Sequence, residues 1–201
     1  MCKLASMYVT QHAVLWSKTS DSHTAIAAEN GLVVQSAELA VSARLAAVPV
    51  EVYPAGMDYS RPISEWVMHW DETVEAQMLP AWWSEVDARE RCAVALREWA
   101  TYHILESGEH EASGEISLIV RGNATLNATG QTGGYCRAYN SATLNATGQT
   151  GGDCRAYNSA TLNATGQTGG YCRACDDATL NATGQTGGDC WACDSATLNV
   201  A

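Results

Sequence analysis

The sequence predicts an α+β domain over residues 1–115 followed by a β-solenoid over residues 116–201. Three observations carry that division. From about Asn123 to Ala201 one motif recurs every 18 residues, with Leu126, Leu144, Leu162, Leu180 and Leu198 marking the interval. Thirteen of the 17 glycines lie from Gly122 onward, where tight corners need φ > 0. Ahead of them, short apolar alternations and one long helical stripe follow the pattern of a small globular domain.

The elements of that domain follow in order. MCKLASMYVT and AVLWS are short strand candidates joined as a hairpin. Ser20-Asp21-Ser22 precede a helix over His23–Asn30, with Gly31 as its stop. Val48–Tyr53 and Trp66–Trp70 read as strands, and LPAWW (Leu79–Trp83) as an irregular turn. The clearest helix is SEVDARERCAVALREWATYHIL, with Ser84 as N-cap and Asp87 three residues on. Its apolar stripe is Cys92, Ala95, Leu96, Trp99, Tyr102 and His103. After Ser107 the chain reads as a Gly- and Glu-rich linker, and Ile116, Leu118 and Val120 then alternate as a strand that feeds the first coil.

The repeat ATLNATGQTGG(Y/D)C(R/W)A(Y/C)(N/D)(S/D) stands four times in full and once as a stub. A unit this short cannot bury a core alone, so neighbouring units must stack. Eighteen residues make three hexapeptides, the length of one triangular β-helix coil; a pentapeptide-like β-helix is the rival, but five does not divide 18. Strict alternation then points nine positions inward: Ala124, Leu126, Ala128, Gly130, Thr132, Gly134, Cys136, Ala138 and Asn140. The outward triplets are Thr125, Asn127, Thr129; Gln131, Gly133, Tyr135; and Arg137, Tyr139, Ser141. At the last coil Val200 replaces an Ala and Trp191 replaces an Arg, as larger covers for an open end.

Charge narrows the function classes. Eleven Lys+Arg against 22 Asp+Glu give −11, and residues 65–115 alone hold twelve acids against three arginines. That balance argues against direct nucleic-acid or membrane-surface binding and leaves open a partner that is itself basic; the plainer reading of the acidic segment is a solvated helix face. Glu85, Glu90 and Glu98 mark the acidic surface. The N-terminus lacks the apolar core of a signal peptide, which predicts a soluble intracellular chain with reduced cysteines. The five Asn-Ala-Thr sequons, from Asn123, Asn127, Asn145, Asn163 and Asn181, then mark repeat spacing rather than glycan sites.

Catalytic signatures are sparse. Cys2 with its own amine could serve as a nucleophile, with Asp21 and His23 to orient or supplement it; the plainer reading is a strand residue beside a helix-capping segment. Cys172-x-x-Cys175 and Cys190-x-x-Cys193 have zinc-like spacing. Yet Cys172 and Cys190 belong to the column of Cys136 and Cys154, whereas Cys175 and Cys193 replace Tyr139 and Tyr157. A spacing of three in a strand sends the members of each pair to opposite faces, so no zinc and no cofactor is expected. The Thr125-x-Asn127-x-Thr129 row resembles the ice-binding face of β-helical antifreeze proteins.

MCKLASMYVT…VLWSKTSDSHTAIAAENGL, VPVEVYP…DYSRPISEWVMHW and LPAWW resemble a group of small uncharacterised phage and prophage proteins, some with Gly/Cys/Ala-rich C-terminal repeats. The resemblance implies a phage accessory protein made in the bacterial cytoplasm. Such proteins often bind and block host machinery, CRISPR complexes included. The leading expectation is therefore a non-enzymatic protein that binds, and could inhibit, a host protein or nucleoprotein complex with a basic surface. A homodimer through Trp191, Leu198 and Val200 is expected with it. The alternatives are an N-terminal-Cys hydrolase or transferase using Cys2, and an ice-binding or structural assembly module.

Overall fold

The computed structural model describes residues 5–32, 47–70 and 79–201. The chain divides into two compact units, Met1–Tyr102 and His103–Ala201. The second unit thus begins well before residue 116, for a reason that lies in the sequence after Ser107.

The first unit holds an antiparallel sheet in the order β2-β1-β3-β4: β1 is Ser6–Thr10, β2 Val14–Leu15, β3 Ala47–Tyr53 and β4 Val67–His69. Thr10 closes the expected hairpin, its N–H donating to the Ala13 carbonyl at 2.8 Å and its hydroxyl accepting from the Ala13 N–H at 2.9 Å. Alternation buries Met7, Val9, Val48, Val50 and Val52 on one face. Helix α1 (His23–Glu29) begins after Ser22, whose side chain makes no capping bond, and is followed by Gly31 at φ 67°. Helix α2 (Glu85–His103) begins after Ser84, whose Oγ accepts from the Asp87 N–H at 3.4 Å. It buries Cys92, Leu96 and Trp99 of the predicted stripe, and Ala88 besides, but leaves Tyr102 43 % exposed, and Ile104–Leu105, expected in the helix, form the short strand β5 instead. The Trp99 ring lies 5.8 Å from that of Trp66. Each large apolar side chain so buried contributes about 1.5–3 kcal/mol.

The second unit is a parallel β-solenoid with 18-residue coils. Thr125, Thr143, Thr161, Thr179 and Thr197 pair in register, as do Cys136, Cys154, Cys172 and Cys190. Two ladders run along it. The TLNAT ladder comprises the start of β7 (Thr125–Ala138), then β8 (Thr143–Thr147), β10 (Thr161–Thr165), β12 (Thr179–Thr183) and β14 (Thr197–Val200). The other comprises the end of β7, then β9 (Asp153–Ala156), β11 (Thr168–Ala174) and β13 (Gly187–Ala192). A Gly-Gln run joins them on one side, and a turn from Tyr139 to Ala142, closed by a 3.2 Å bond, joins successive coils on the other. The axis is filled by Leu126, Leu144, Leu162, Leu180 and by alanines and cysteines of their columns, all essentially closed to solvent.

Three expectations need correction. Residues after Ser107 are not a linker: β6 (Glu109–Val120) is a full coil, paired with β7 from Glu109↔Thr125 to Val120↔Ala138. Its register slips between Ser113 and Glu115, because the unit is two residues shorter there and lacks the Gln-Thr pair. Strict alternation also fails at the corners. Gly130, at φ 59°, resets the phase, so Gln131 points inward and Thr132 outward. Asn140, at φ 60°, is an exposed corner rather than an inward residue, and Tyr139 beside it is buried. Finally, Trp191 does not cover the core; it lies in register with Arg173 on an outward column.

Candidate functional site

The outward TLNAT face is a regular surface, repeated in register from coil to coil. Thr, Asn and Thr of each unit lie in rows, and the asparagines bond to one another along the axis. Nδ2 of Asn145 donates to Oδ1 of Asn127 at 2.7 Å; Asn163, Asn181 and Asn199 each repeat the bond to the preceding coil at 2.8 Å. All these amides point the same way. At the β6 end, Asn127 Nδ2 donates to Glu111 Oε1 at 2.7 Å and to Glu109 Oε1 at 3.0 Å. Two carboxylates therefore terminate the ladder at its donor end, where negative charge meets an aligned row of N–H dipoles. The face carries only Thr and Asn along its outward rows from β7 onward and is acidic at its β6 end.

A second polar ladder lies inside. Gln131, Gln149 and Gln167 are at most 1 % exposed. Gln149 Nε2 donates to Gln131 Oε1, and the thiols of Cys154 and Cys172 donate to Gln131 Oε1 at 3.2 Å and Gln149 Oε1 at 3.4 Å. Gln167 and Gln185 turn away and donate to the carbonyls of Ala146 and Ala164, each at 3.0 Å. Burial and the neighbouring sulfurs push the Cys154 and Cys172 thiols above their ordinary range, with the contact from Cys136 the largest cause at Cys154. These are thiols that pack, not thiolates that react.

The third surface carries the columns headed by Tyr135, Arg137 and Tyr139. Arg155 forms an ion pair with Asp153, which holds the guanidinium charged. Arg173 stacks on the Trp191 ring at 4.1 Å. Tyr139 and Tyr157 stack with centroids 5.0 Å apart, and in the same column Cys175 and Cys193 form a disulfide. That bond corrects the expectation of reduced cysteines throughout; among the described residues the remaining cysteines are unbonded. The four zinc-spaced cysteines do separate by column: Cys172 and Cys190 face inward, apart from Cys175 and Cys193. Asp194 places a carboxylate oxygen within 4.8 Å of the two bonded sulfurs. While the bond is intact neither sulfur is a thiolate, the form a metal needs.

The acidic segment is not a single helical surface. On α2, Glu85 pairs with Arg89 and Asp87 with Arg91, leaving Glu90 and Glu98 on its exposed side. Glu106, Glu109, Glu111 and Glu115 belong to the solenoid unit, where Arg121 pairs with Glu106. Sequence reasoning misses this split because β6 lacks the residues of the repeat. Cys2 lies outside the described residues. His23 is held by its Nε2, which meets the carbonyls of Met7 at 3.2 Å and Val50 at 3.1 Å, and Asp21 is half-buried nearby in sequence. A shallow depression of about 380 Å³ borders His23, Glu51, Tyr53, His69 and Trp70. Burial, aided by Arg89, holds His69 below the ordinary imidazole range against the opposing pull of the Tyr53 backbone and Glu51. At the far end of the solenoid Leu198 is 38 % and Val200 71 % exposed, although both align with buried residues of the preceding coil.

Among the described residues no helix is long and apolar enough to cross a membrane. No protein-family model, curated protein or solved structure matches the chain.

Proposed function

We propose that the protein acts by binding rather than by catalysis, as a phage-encoded protein that engages and inhibits a host complex through a basic surface on that complex. The observation that carries the reading is the amide-laddered Thr-Asn-Thr face ending in the paired carboxylates of Glu109 and Glu111. Such a face is preorganised, since each Asn side chain is already fixed by its neighbours and loses little freedom on contact. Its acidic end attracts a basic partner and sets the approach. The Cys154 and Cys172 thiols in the solenoid core are buried and pushed above their ordinary range by neighbouring sulfurs and burial, which does not favour thiol catalysis there. The exposed Glu90 and Glu98 add a second acidic surface, and host defence complexes such as CRISPR effectors are the class of target that the N-terminal resemblance suggests.

The test is kinetic. A host complex captured on the immobilised chain is identified, and its association rate is measured at two ionic strengths. Glu90→Lys with Glu98→Lys, and separately Thr147→Tyr with Thr165→Tyr, are compared with the unaltered chain. Charge reversal and added salt should each slow association, while the tyrosines should speed dissociation. A complex indifferent to all three would remove the reading.

The uniform spacing of the Thr rows favours one other reading, an ordered solid surface such as ice as the ligand. Inhibition of ice recrystallisation that disappears with Thr147→Tyr and Thr165→Tyr, without any protein partner, would favour it.

A further inference from the structure

The disulfide breaks the pattern of its own column, and the surroundings of its two sulfurs differ. In the preceding coils the position after the second strand is Tyr139 or Tyr157, stacked ring on ring. In the next two it is Cys175 and Cys193, with Cα atoms 4.9 Å apart, one coil spacing. Cys175 is 5 % exposed, whereas Cys193 is half-buried and open to solvent. The Arg173 guanidinium reaches only one of them: Nη2 lies 3.3 Å and Nε 3.4 Å from the Cys193 sulfur. Arg173 is itself held against the Trp191 ring. The four inward thiols of Cys136, Cys154, Cys172 and Cys190 lie in a different column, the first three of them buried.

From this asymmetry we infer that Cys175 and Cys193 are a reversible thiol-exchange site for low-molecular-weight thiols of the glutathione kind, with Cys193 as the sulfur that carries the mixed disulfide. In the reduced pair the Arg173 charge stabilises a thiolate on Cys193. That thiolate attacks one sulfur of glutathione disulfide, forms a bond to it and releases one glutathione thiolate, which takes up a proton. Cys175 then loses its proton and attacks the Cys193 sulfur, closing the intramolecular bond and releasing the second glutathione. Two electrons and two protons pass from the cysteine pair to glutathione disulfide. Reduction runs the same steps backwards, through attack of glutathione thiolate on the accessible Cys193 sulfur. The Asp194 carboxylate, within 4.8 Å of the sulfurs, opposes the thiolate. Arg173 makes two nitrogen contacts at shorter range and dominates it. The bond ties the β11 coil to the β13 coil, so its state sets how firmly the strands that follow, β13 and β14, are held.

The experiment equilibrates the whole unaltered chain in buffers of graded glutathione to glutathione-disulfide ratio, quenches by acid and maps thiols by peptide mass. The Cys175–Cys193 bond should open and close reversibly with the ratio, and Cys175→Ser should collect a single glutathionyl group, on Cys193. A bond that ignores the ratio, or glutathionylation at Cys175 in Cys193→Ser at the rate seen for Cys193, would overturn the inference. In the Cys175→Ser background at neutral pH, Arg173→Gln should slow alkylation of Cys193 about tenfold, through loss of the thiolate that the guanidinium stabilises. Asp194→Asn should speed it. Unchanged rates in both would remove the role given to Arg173. In the unaltered chain, amide exchange in β13 and β14 should quicken on reduction, and equal rates in the two states would show that the bond holds nothing in place.

Discussion

Three neighbouring glycines separate two physical costs that usually arrive together. Gly166 has φ 62°, and a Cβ added there would meet nothing within 4 Å, so Gly166→Ala meets backbone strain alone, about 1 kcal/mol. Gly169 has an ordinary φ, but its Cβ would lie 2.5 Å from the Thr150 carbonyl oxygen. Overpacking of that kind costs about 1–3 kcal/mol. Gly170 suffers both, at φ 78° with the Gly151 and Gly152 oxygens each at 2.8 Å. Thermal melts of the three alanine variants should therefore rank Gly166 mildest and Gly170 worst; equal melting temperatures would refute the ranking. Cys92 gives a pH prediction at the same scale. Burial pushes its thiol from 9.0 up to about 12, so the folded state keeps a proton that the unfolded chain gives up. Its contribution is whole below pH 9 and is lost as the pH rises through about 12. Cys92→Ala should flatten the alkaline loss of stability over that window while lowering stability at neutral pH through the cavity it leaves.

At the scale of elements, the Asn ladder makes a directional claim. Asn163 donates to Asn145 and accepts from Asn181, both at 2.8 Å. Asn163→Ala breaks two bonds on a partly exposed face and should cost about 1–2 kcal/mol. Asn163→Asp keeps the acceptor but sets a carboxylate against the Asn145 oxygen, so it should be the more destabilising variant in urea titrations at neutral pH; a milder Asp variant would mean that the rows are not oriented as described. The columns behind this ladder are legible in the sequence because Leu, Ala and Cys recur at fixed spacing and alternate in the two strand legs. The Gln column is not, since period-two counting passes through Gly130 as though it were strand, whereas a positive φ there inverts the phase. Nor is β6. Glu109, His110 and Glu111 stand where the repeat has Thr, Leu and Asn, and the missing Gln-Thr pair breaks the interval. The disulfide is hidden by the same regularity: the inward cysteine column is the conspicuous one, while the bonded pair occupies a tyrosine column.

At the scale of the whole molecule, β13 and β14 are the outer strands of the solenoid sheet among the described residues, and Leu198 and Val200 stand exposed behind that edge. An unpaired edge backed by apolar groups pairs readily with another chain. We expect light scattering to report a dimer that Val200→Asp converts to monomer. Because Val200 is already 71 % exposed in the single chain, the substitution costs the monomer little, and loss of the dimer would not reflect unfolding. A monomeric unaltered chain, or a dimer indifferent to Val200→Asp, would show that this edge does not associate. The α+β unit is legible in outline: β1 to β4, α1 and α2 fall within a few residues of their predicted places, whereas the one-turn 3-10 helices at Ala55–Met57 and Ile63–Glu65 are too short to leave a periodic signal. The division of the acids between the two units is not, because it depends on recognising β6 as a coil.

The in-register parallel pairing also governs how the solenoid would respond to force. Its interstrand hydrogen bonds run along the axis, so tension applied between the two ends loads them coil by coil, as a zip rather than a shear joint. Each coil that peels away frees 18 residues, a gain of about 60 Å of extended chain at 3.3–3.6 Å per residue. The trace from an optical trap would be a train of equal steps. With the Cys175–Cys193 bond closed, the loop between them is withheld from the pulling path, so the step that would release it is missing until a reductant is added.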